Sequence, residues 1–364
     1  MSKITIQAAV CRQFGSPLSI ETLTLAPPTA REVRVNLAAC AICHSDIIYA
    51  DGGWGGTPPI VFGHEAAGTV VEAGADSGIA VGTRVVVTLL RSCGGCIPCQ
   101  HGAPTLCEDN FDPLTRLYDI NGKPVAIGLK TGAFAEQVVV DSSQVATIHN
   151  TLPFTEACLL ACGVLTGWGA VVNTANVPPG ASVAVVGCGG VGVNCLQAAS
   201  IAGASPLVAI DLSAEKLKSA EQFGTTHTIL ANADDYGEQA QHITGGRGFD
   251  YVFMTAGSAK AAEQAASLLA TMGTLVLTGM PPDGDLARIN IADVAQGQRR
   301  FLGSKMGNSH LRTDIPKFLR LHSEGRLKLK ELIASYYPLV DINRAMDASR
   351  RGDALRNIIL FDNS

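Results

Sequence analysis

Apolar and polar positions alternate with two different periods along the chain. "EVRVNLAA" (32–39) and "RVVV" (84–87) read as strands of a first lobe. The run "ASVAVVGCGGVGVNCLQAASIAGASPLVAIDLS" (181–213) changes period as it goes. Val183 to Val186 predict a buried strand, and Val193, Leu196 and Ala199 recur at helical spacing. Leu207 to Ile210 predict the next strand. The same alternation continues through "HTIL" (227–230), "FDYVFMTAG" (249–257), an Ala-rich helix near 259–270 and "GTLVLTGMPP" (273–282), which predicts a parallel, doubly wound sheet. The tail "YYPLVDINRAMDASRRGDALRNIILF" (336–361) reads as strand, helix, strand and is able to return to the first lobe.

A chain of 364 residues suggests two domains. Hydrophobic residues make up 47% and charged ones 16%, with no block of Lys and Arg, which argues against disorder and against a nucleic-acid surface. The net charge of −5 bears on solubility only. The start "MSKITIQAAVCRQFG" has no signal-peptide pattern, and no apolar stretch reaches the roughly 18 residues of a membrane span, so a soluble, cytoplasmic protein is expected. Eleven cysteines are an odd number, and in a reducing compartment metal binding is a better use for them than disulfides.

Four of these cysteines crowd into "SCGGCIPCQHGAPTLC" (92–107), with tight backbone supplied by Gly94, Gly95, Pro98 and Gly102. Cys93, Cys96, Cys99 and Cys107 have the steps that let thiolates share one tetrahedral Zn²⁺. An iron–sulfur cluster and plain thiols are the other readings, but the common cluster run closes with a three-residue gap and Cys-Pro. A closed four-thiolate site staples a lobe and does no chemistry. A second set of ligands lies in "CAICHSDII" (40–48) and "VFGHEAAGTV" (61–70): Cys43 and His64, with Glu65 beside the second and Asp46 placed to orient an imidazole. By itself, a His after Gly in an apolar strand is more often a hydrogen-bonded core residue than a ligand.

The coenzyme signal is stronger. Gly187, Gly189 and Gly192 fit GxGxxG, with Gly190 and Val191 inside the turn, and Asp211 ends the second strand 19 residues after Gly192. Such glycines let backbone N–H groups approach a pyrophosphate, while the carboxylate takes ribose hydroxyls and repels a 2′-phosphate, which favours NAD. A reductase using NADPH would instead place a basic residue at 211.

Together these residues resemble the zinc-dependent medium-chain alcohol dehydrogenases over nearly the whole chain. The Cys43/His64 pair, the four-cysteine lobe and the nucleotide fold occur in that family's order. The resemblance implies a third catalytic ligand at Cys162, in "LLACGVLTGWGA" (159–170), and thereby favours His64 as a ligand. It also implies a mainly β, GroES-like catalytic domain formed by 1–163, with the zinc lobe at 91–108, and by 306–364. An NAD-binding Rossmann domain at 164–305 would be inserted between the two parts, with substrate meeting coenzyme between the lobes.

The activity implied is hydride transfer from an alkoxide on zinc to NAD, interconverting primary or secondary alcohols, aromatic ones among them, with aldehydes or ketones. Two zinc ions per chain are expected. By the same resemblance, Ser45 passes on the alcohol proton, while Ile48 stands where several relatives have a relay histidine. His44 and Arg356 are expected at the coenzyme phosphates, Thr166 and Val191 at the nicotinamide, Lys216 near the adenosine ribose, and Thr278 and Met280 among further coenzyme contacts. Ile48, Trp54 and Leu89 would line an apolar alcohol pocket. The branch acting on glutathione adducts has acidic residues near Trp54, and "GGWGG" (52–56) offers none. The rival from another class is a non-catalytic coenzyme-binding protein on the same fold. A small-molecule alcohol, medium-sized by the pocket, or the matching aldehyde or ketone is the expected partner, with no nucleic acid and no membrane. The resemblance adds a homodimer, with a tetramer also compatible.

Overall fold

The computed structural model describes residues 3–109, 116–149, 151–352 and 355–361. The chain folds into two units. The first comprises Met1–Cys162, His310–Gly325 and Leu329–Ser364, and the second Gly163–Ser309 with Arg326–Lys328.

In the first unit the alternation in Glu32–Ala41 puts Val33, Val35, Leu37 and Ala39 fully inside, as a half-buried strand requires. This strand is the centre of a seven-stranded sheet. It pairs antiparallel with Glu65–Ala73, Gln137–Asp141 and Arg356–Leu360. The register is what matters for chemistry. Ala41 lies opposite Glu65 and also opposite Ile358, so residues just past 41, just before 65 and just before 358 emerge at one end of the sheet. Five further strands, Ile4–Cys11, Ser19–Leu25, Ile60–Val61, Leu117–Tyr118 and Pro124–Ile127, close into a small barrel. Phe62 and Phe134 are fully buried in the core that the strands share.

The second unit is a six-stranded, wholly parallel sheet. Its order is His227–Leu230, Leu207–Asp211, Val183–Val186, Phe249–Met254, Leu269–Leu277 and Arg300–Gly303. The first strand in sequence therefore lies between the second and the fourth, which makes its C-terminal end the topological switch point where ligands of such sheets bind. Helix Gly192–Ala202 starts just beyond that end. The Ala-rich helix is shorter than its composition predicts, Ala259–Ser267, and the following strand begins at Leu269.

The division departs from the expected boundaries by one residue at Gly163 and more widely at two further places, each of these with a local cause. Residues up to Ser309 stay with the second unit because the turn Lys305–Asn308 packs onto helix Gly163–Gly169 so closely that a Cβ on Gly169 would sit 2.1 Å from the carbonyl oxygen of Gly307. Arg326–Lys328 join it because Gln197 holds Lys328 by both its amide ends, at 2.8 and 3.1 Å. Among the described residues no single helix is long and apolar enough to cross a membrane.

Candidate metal centres and coenzyme cradle

Cys43 caps the N-terminus of helix His44–Ala50, directly after the central strand of the first unit. Asp46, three residues on, folds back on this turn. One of its oxygens accepts the backbone N–H of Cys43 at 3.1 Å, and the other accepts the N–H of Gly63 at 3.0 Å and faces His64 Nδ1 at 3.1 Å. Asp46, His64 and Glu65 are all fully buried. A carboxylate at Nδ1 fixes the tautomer and ring orientation and leaves Nε2 as the acceptor. Nε2 is buried and makes no hydrogen bond of ordinary geometry, Cys43 being the side chain that it faces. A buried imidazole nitrogen in that state is costly unless a proton shared with the neighbouring thiol, or a metal in its place, takes its lone pair.

The sulfurs of Cys43 and Cys162, a ring nitrogen of His64 and a carboxylate oxygen of Glu65 lie within 4.8 Å of one another. Two thiolates, an imidazole and a carboxylate are the donor types that Zn²⁺ takes, so Nε2 and its neighbours fit a divalent metal. Glu65 adds a fourth possible donor to the expected three. It is also drawn the other way: Arg356 Nη2 lies 3.5 Å from Glu65 Oε1. Burial lifts the Glu65 carboxyl to about 8 despite this cation. Arg356, expected at coenzyme phosphates, is only 8% exposed and has the buried Glu65 as its counter-ion.

Without metal the donors share protons. The Cys162 thiol and, against the cost of burial, His64 hold Cys43 well below the usual thiol range. Cys162 is pushed well up by Cys43 and by burial. Burial pulls the His64 imidazole down, but Asp46 and Cys43 more than reverse it. A metal entering this set must displace those protons, so its affinity rises with pH.

Ser45 Oγ lies 3.6 Å from Cys43 Sγ, which brings the expected proton carrier to the ligand cluster. His44 is exposed at the first residue of the helix, and Ile48 is half-buried one turn on. Trp54 rests on Tyr49, ring centroids 6.2 Å apart, and Leu89 is half-buried.

The four-cysteine segment closes on itself, its four sulfurs mutually within 4.8 Å and its cysteines half-buried. Backbone N–H groups of Gly95 and Cys96 point at Cys93 Sγ and that of Cys93 at Cys107 Sγ, each at 3.3 Å. The backbone at Glu108 and at Cys99 draws Cys96 down to about 6.

In the second unit Gly187 has φ +96° and Gly192 packs so tightly that a Cβ there would sit 1.8 Å from Gly187's carbonyl oxygen. Gly189 differs: a Cβ on it would meet nothing within 4 Å. The turn is thus compressed on its inner side and open on the outer, as a pyrophosphate cradle needs. Gly190 accepts from the Asn194 side chain at 2.7 Å, and Val191 leads into the helix. Asp211 is held ready by the N–H groups of Cys188 at 2.6 Å and Ser213 at 2.9 Å. Lys216 follows on the helix capped by Ser213. Thr278 donates to the carbonyl of Met254 at 2.9 Å, and Met280 is exposed.

Thr166 is buried beside Met306, their Oγ1 and Sδ 3.5 Å apart. Met306 belongs to a feature that periodicity does not reveal, a left-handed turn with φ of +49° at Met306, +66° at Gly307 and +47° at Asn308. Non-glycine residues held there cost about 1–3 kcal/mol each and mark sites the surroundings overdetermine. The Gly-Asn pair was its only signal in the sequence.

Comparison with known proteins gives the family. Residues 29–150 match the alcohol dehydrogenase GroES-like domain and residues 190–324 the zinc-binding dehydrogenase family. Alcohol dehydrogenase 1 of Zea mays is 33% identical over 99% of this chain and 98% of its own. A crystal structure of an alcohol dehydrogenase zinc-binding domain protein from Burkholderia ambifaria superposes with a TM-score of 0.94 at 32% identity, covering 99% of both chains. That of benzyl alcohol dehydrogenase from Acinetobacter calcoaceticus gives 0.92 at 29%, over 98% of this chain and 99% of the other. A zinc-binding dehydrogenase from Sinorhizobium meliloti, bound to NADP, gives 0.81 at 26%, over 98% and 99%. With a GroES-like first part, a parallel nucleotide sheet and a relative this similar end to end, the chain belongs to the zinc-dependent medium-chain alcohol dehydrogenases.

Proposed function

We propose that the protein is an NAD-dependent alcohol dehydrogenase with two zinc ions per chain, one at Cys43, His64 and Cys162 and one at Cys93, Cys96, Cys99 and Cys107. The observation that carries this reading is the buried His64 ring, tied at Nδ1 to Asp46 and without an ordinary hydrogen bond at Nε2 beside two cysteine sulfurs. When bound, zinc supplies the Lewis acidity that lowers a hydroxyl pKa, and NAD supplies the hydride acceptor.

The chain's own residues do the rest. Asp46 holds the imidazole and, through the Cys43 N–H, the helix start in one arrangement. Ser45 takes the alcohol proton at Oγ, and the half-buried Ile48 one turn on carries no proton further. Arg356, 3.5 Å from Glu65 Oε1, and the burial that keeps the Glu65 carboxyl protonated to about 8 both favour three protein ligands and a free fourth position. The amides of the Gly187–Gly192 turn take the pyrophosphate, and Asp211 accepts the ribose hydroxyls. Small apolar alcohols, aromatic ones included, are the proposed substrates. Apolar side chains at Ile48, Trp54 and Leu89 support this, as does the likeness to a benzyl alcohol dehydrogenase.

The test is metal analysis together with NADH absorbance on a panel of primary, secondary and aromatic alcohols. Two zinc ions per chain and NADH formation are expected. One zinc ion and no turnover on any member would leave only a coenzyme binder on this fold.

Coenzyme choice gives a second measurement. In Asp211→Asn, kcat/KM with NAD should fall about 10- to 100-fold, the worth of a charged hydrogen bond of about 1.5–3 kcal/mol, while kcat/KM with NADP rises. An unchanged ratio of the two coenzymes refutes the role given to Asp211.

A further inference from the structure

Of the three cysteine and histidine ligands proposed above, Cys43 caps a helix and His64 leads into a strand, but Cys162 sits where helical geometry breaks. It follows the short turn Cys158–Ala161 and has φ −144° and ψ −67°. The break takes the carbonyl of Ala161, the peptide group joined to Cys162, out of any helical ladder. A buried carbonyl so exposed must find another donor or cost about 1–3 kcal/mol. It accepts a 2.6 Å hydrogen bond from Thr88 Oγ1, 73 residues away and just beyond the end of strand Arg84–Val87.

Thr88 is fully buried, and its remaining polar atoms are held by one residue. Its N–H donates to the Gln144 carbonyl at 3.0 Å, and its carbonyl accepts from Gln144 Nε2 at 3.0 Å. Gln144, 1% exposed, also donates to the carbonyl of Lys130 at 2.9 Å. The hydroxyl that grips Ala161 therefore stands on a buried frame with no slack. We propose that Thr88, backed by Gln144, is a positioning residue that fixes the backbone of Cys162 so that its sulfur completes the Cys43–His64 metal site. The proposal rests on those three residues holding the catalytic metal. Neither Thr88 nor Gln144 carries a donor that touches metal, coenzyme or substrate in this scheme, and the effect runs entirely through the peptide unit of Cys162.

The test uses the whole chain loaded with Co²⁺ in place of zinc. A closed four-thiolate site has no position to offer imidazole, so the part of the visible cobalt spectrum that responds to imidazole reports the Cys43–His64–Cys162 site, and the rest reports the four-cysteine lobe. Thr88→Val keeps the shape and removes the donor. It should bind the imidazole-responsive cobalt about 10- to 100-fold more weakly, as loss of outer partners of a metal ligand commonly does, with shifted sulfur-to-cobalt bands and an unchanged lobe spectrum. Thr88→Ser should restore both. Affinity and bands like those of the unaltered chain in Thr88→Val overturn the proposal. Loss of both cobalt signals together in Thr88→Val and in Thr88→Ala shows general misfolding and overturns it as well. If the unaltered chain takes up only the lobe cobalt, the assignment of the catalytic metal fails, and this inference fails with it.

Discussion

Cys162→Ser should leave one zinc ion per chain, the one in the four-cysteine lobe, and lower kcat/KM by about 1,000-fold or more. The two sulfurs and the imidazole nitrogen sit within 4.8 Å of one another on buried residues, so the substitution removes a soft anionic donor and offers a weak neutral oxygen instead. On the proposed reading, what is lost is the Lewis acid that would stabilise charge on the substrate oxygen. That contribution is several kcal/mol, and about 4 kcal/mol corresponds to a thousandfold in rate. Metal analysis and initial rates of NADH formation check it. Serine is close in size, so the buried environment is kept and the melting curve of the nucleotide unit should stay in place. Full zinc content with near-normal rates would remove Cys162 from the site.

The second large effect is expected at Gly192. A methyl group there would be placed 1.8 Å from the Gly187 carbonyl oxygen and 2.9 Å from Thr255 Oγ1, with no flexible side-chain end to yield on the backbone side. Overpacking of this kind costs about 3 kcal/mol, which for a unit of this size lowers Tm by roughly 6–12 °C. Gly192→Ala should therefore lose both thermal stability of the nucleotide unit and NAD binding. Gly189→Ala is the control. Its added methyl meets nothing within 4 Å, so stability should hold while NAD affinity falls, because the space it fills is the space proposed for the pyrophosphate. Calorimetry and coenzyme titration on the two variants separate the roles. Equal stability loss in both would mean that the turn is purely structural.

Much of the site was legible because its residues cluster along the chain. The four-cysteine lobe spans 93 to 107, and the glycine turn with its flanking strands spans 183 to 211. Each draws its sulfurs or its backbone groups from one continuous segment, so spacing alone brings them together. Cys43, Asp46 and His64 are nearly as local, and the resemblance supplied the distant Cys162.

Arg356 shows the opposite case. Its place beside Glu65 depends on the register of Arg356–Leu360 against Glu32–Ala41, which in turn faces Glu65–Ala73. That pairing brings together residues 291 positions apart, and nothing in "ALRNIILF" announces it.

By itself the sequence pointed to the two-part α/β architecture, to the nucleotide turn with its acidic partner and to the four-cysteine lobe, while the resemblance added Cys162 and favoured His64 as a donor. The first three follow from short-range periodicity and from the few residue types that suit each chemistry. Only the tertiary structure decided that His64 Nε2 is left without an ordinary hydrogen bond while Nδ1 is pinned. It also gave Glu65 the buried counter-charge of Arg356, and it made Thr88 hold the peptide that carries Cys162. Each of those three depends on strand register and burial across dozens to hundreds of residues. Hydrogen-bond satisfaction in the interior is settled only when the chain is closed around it.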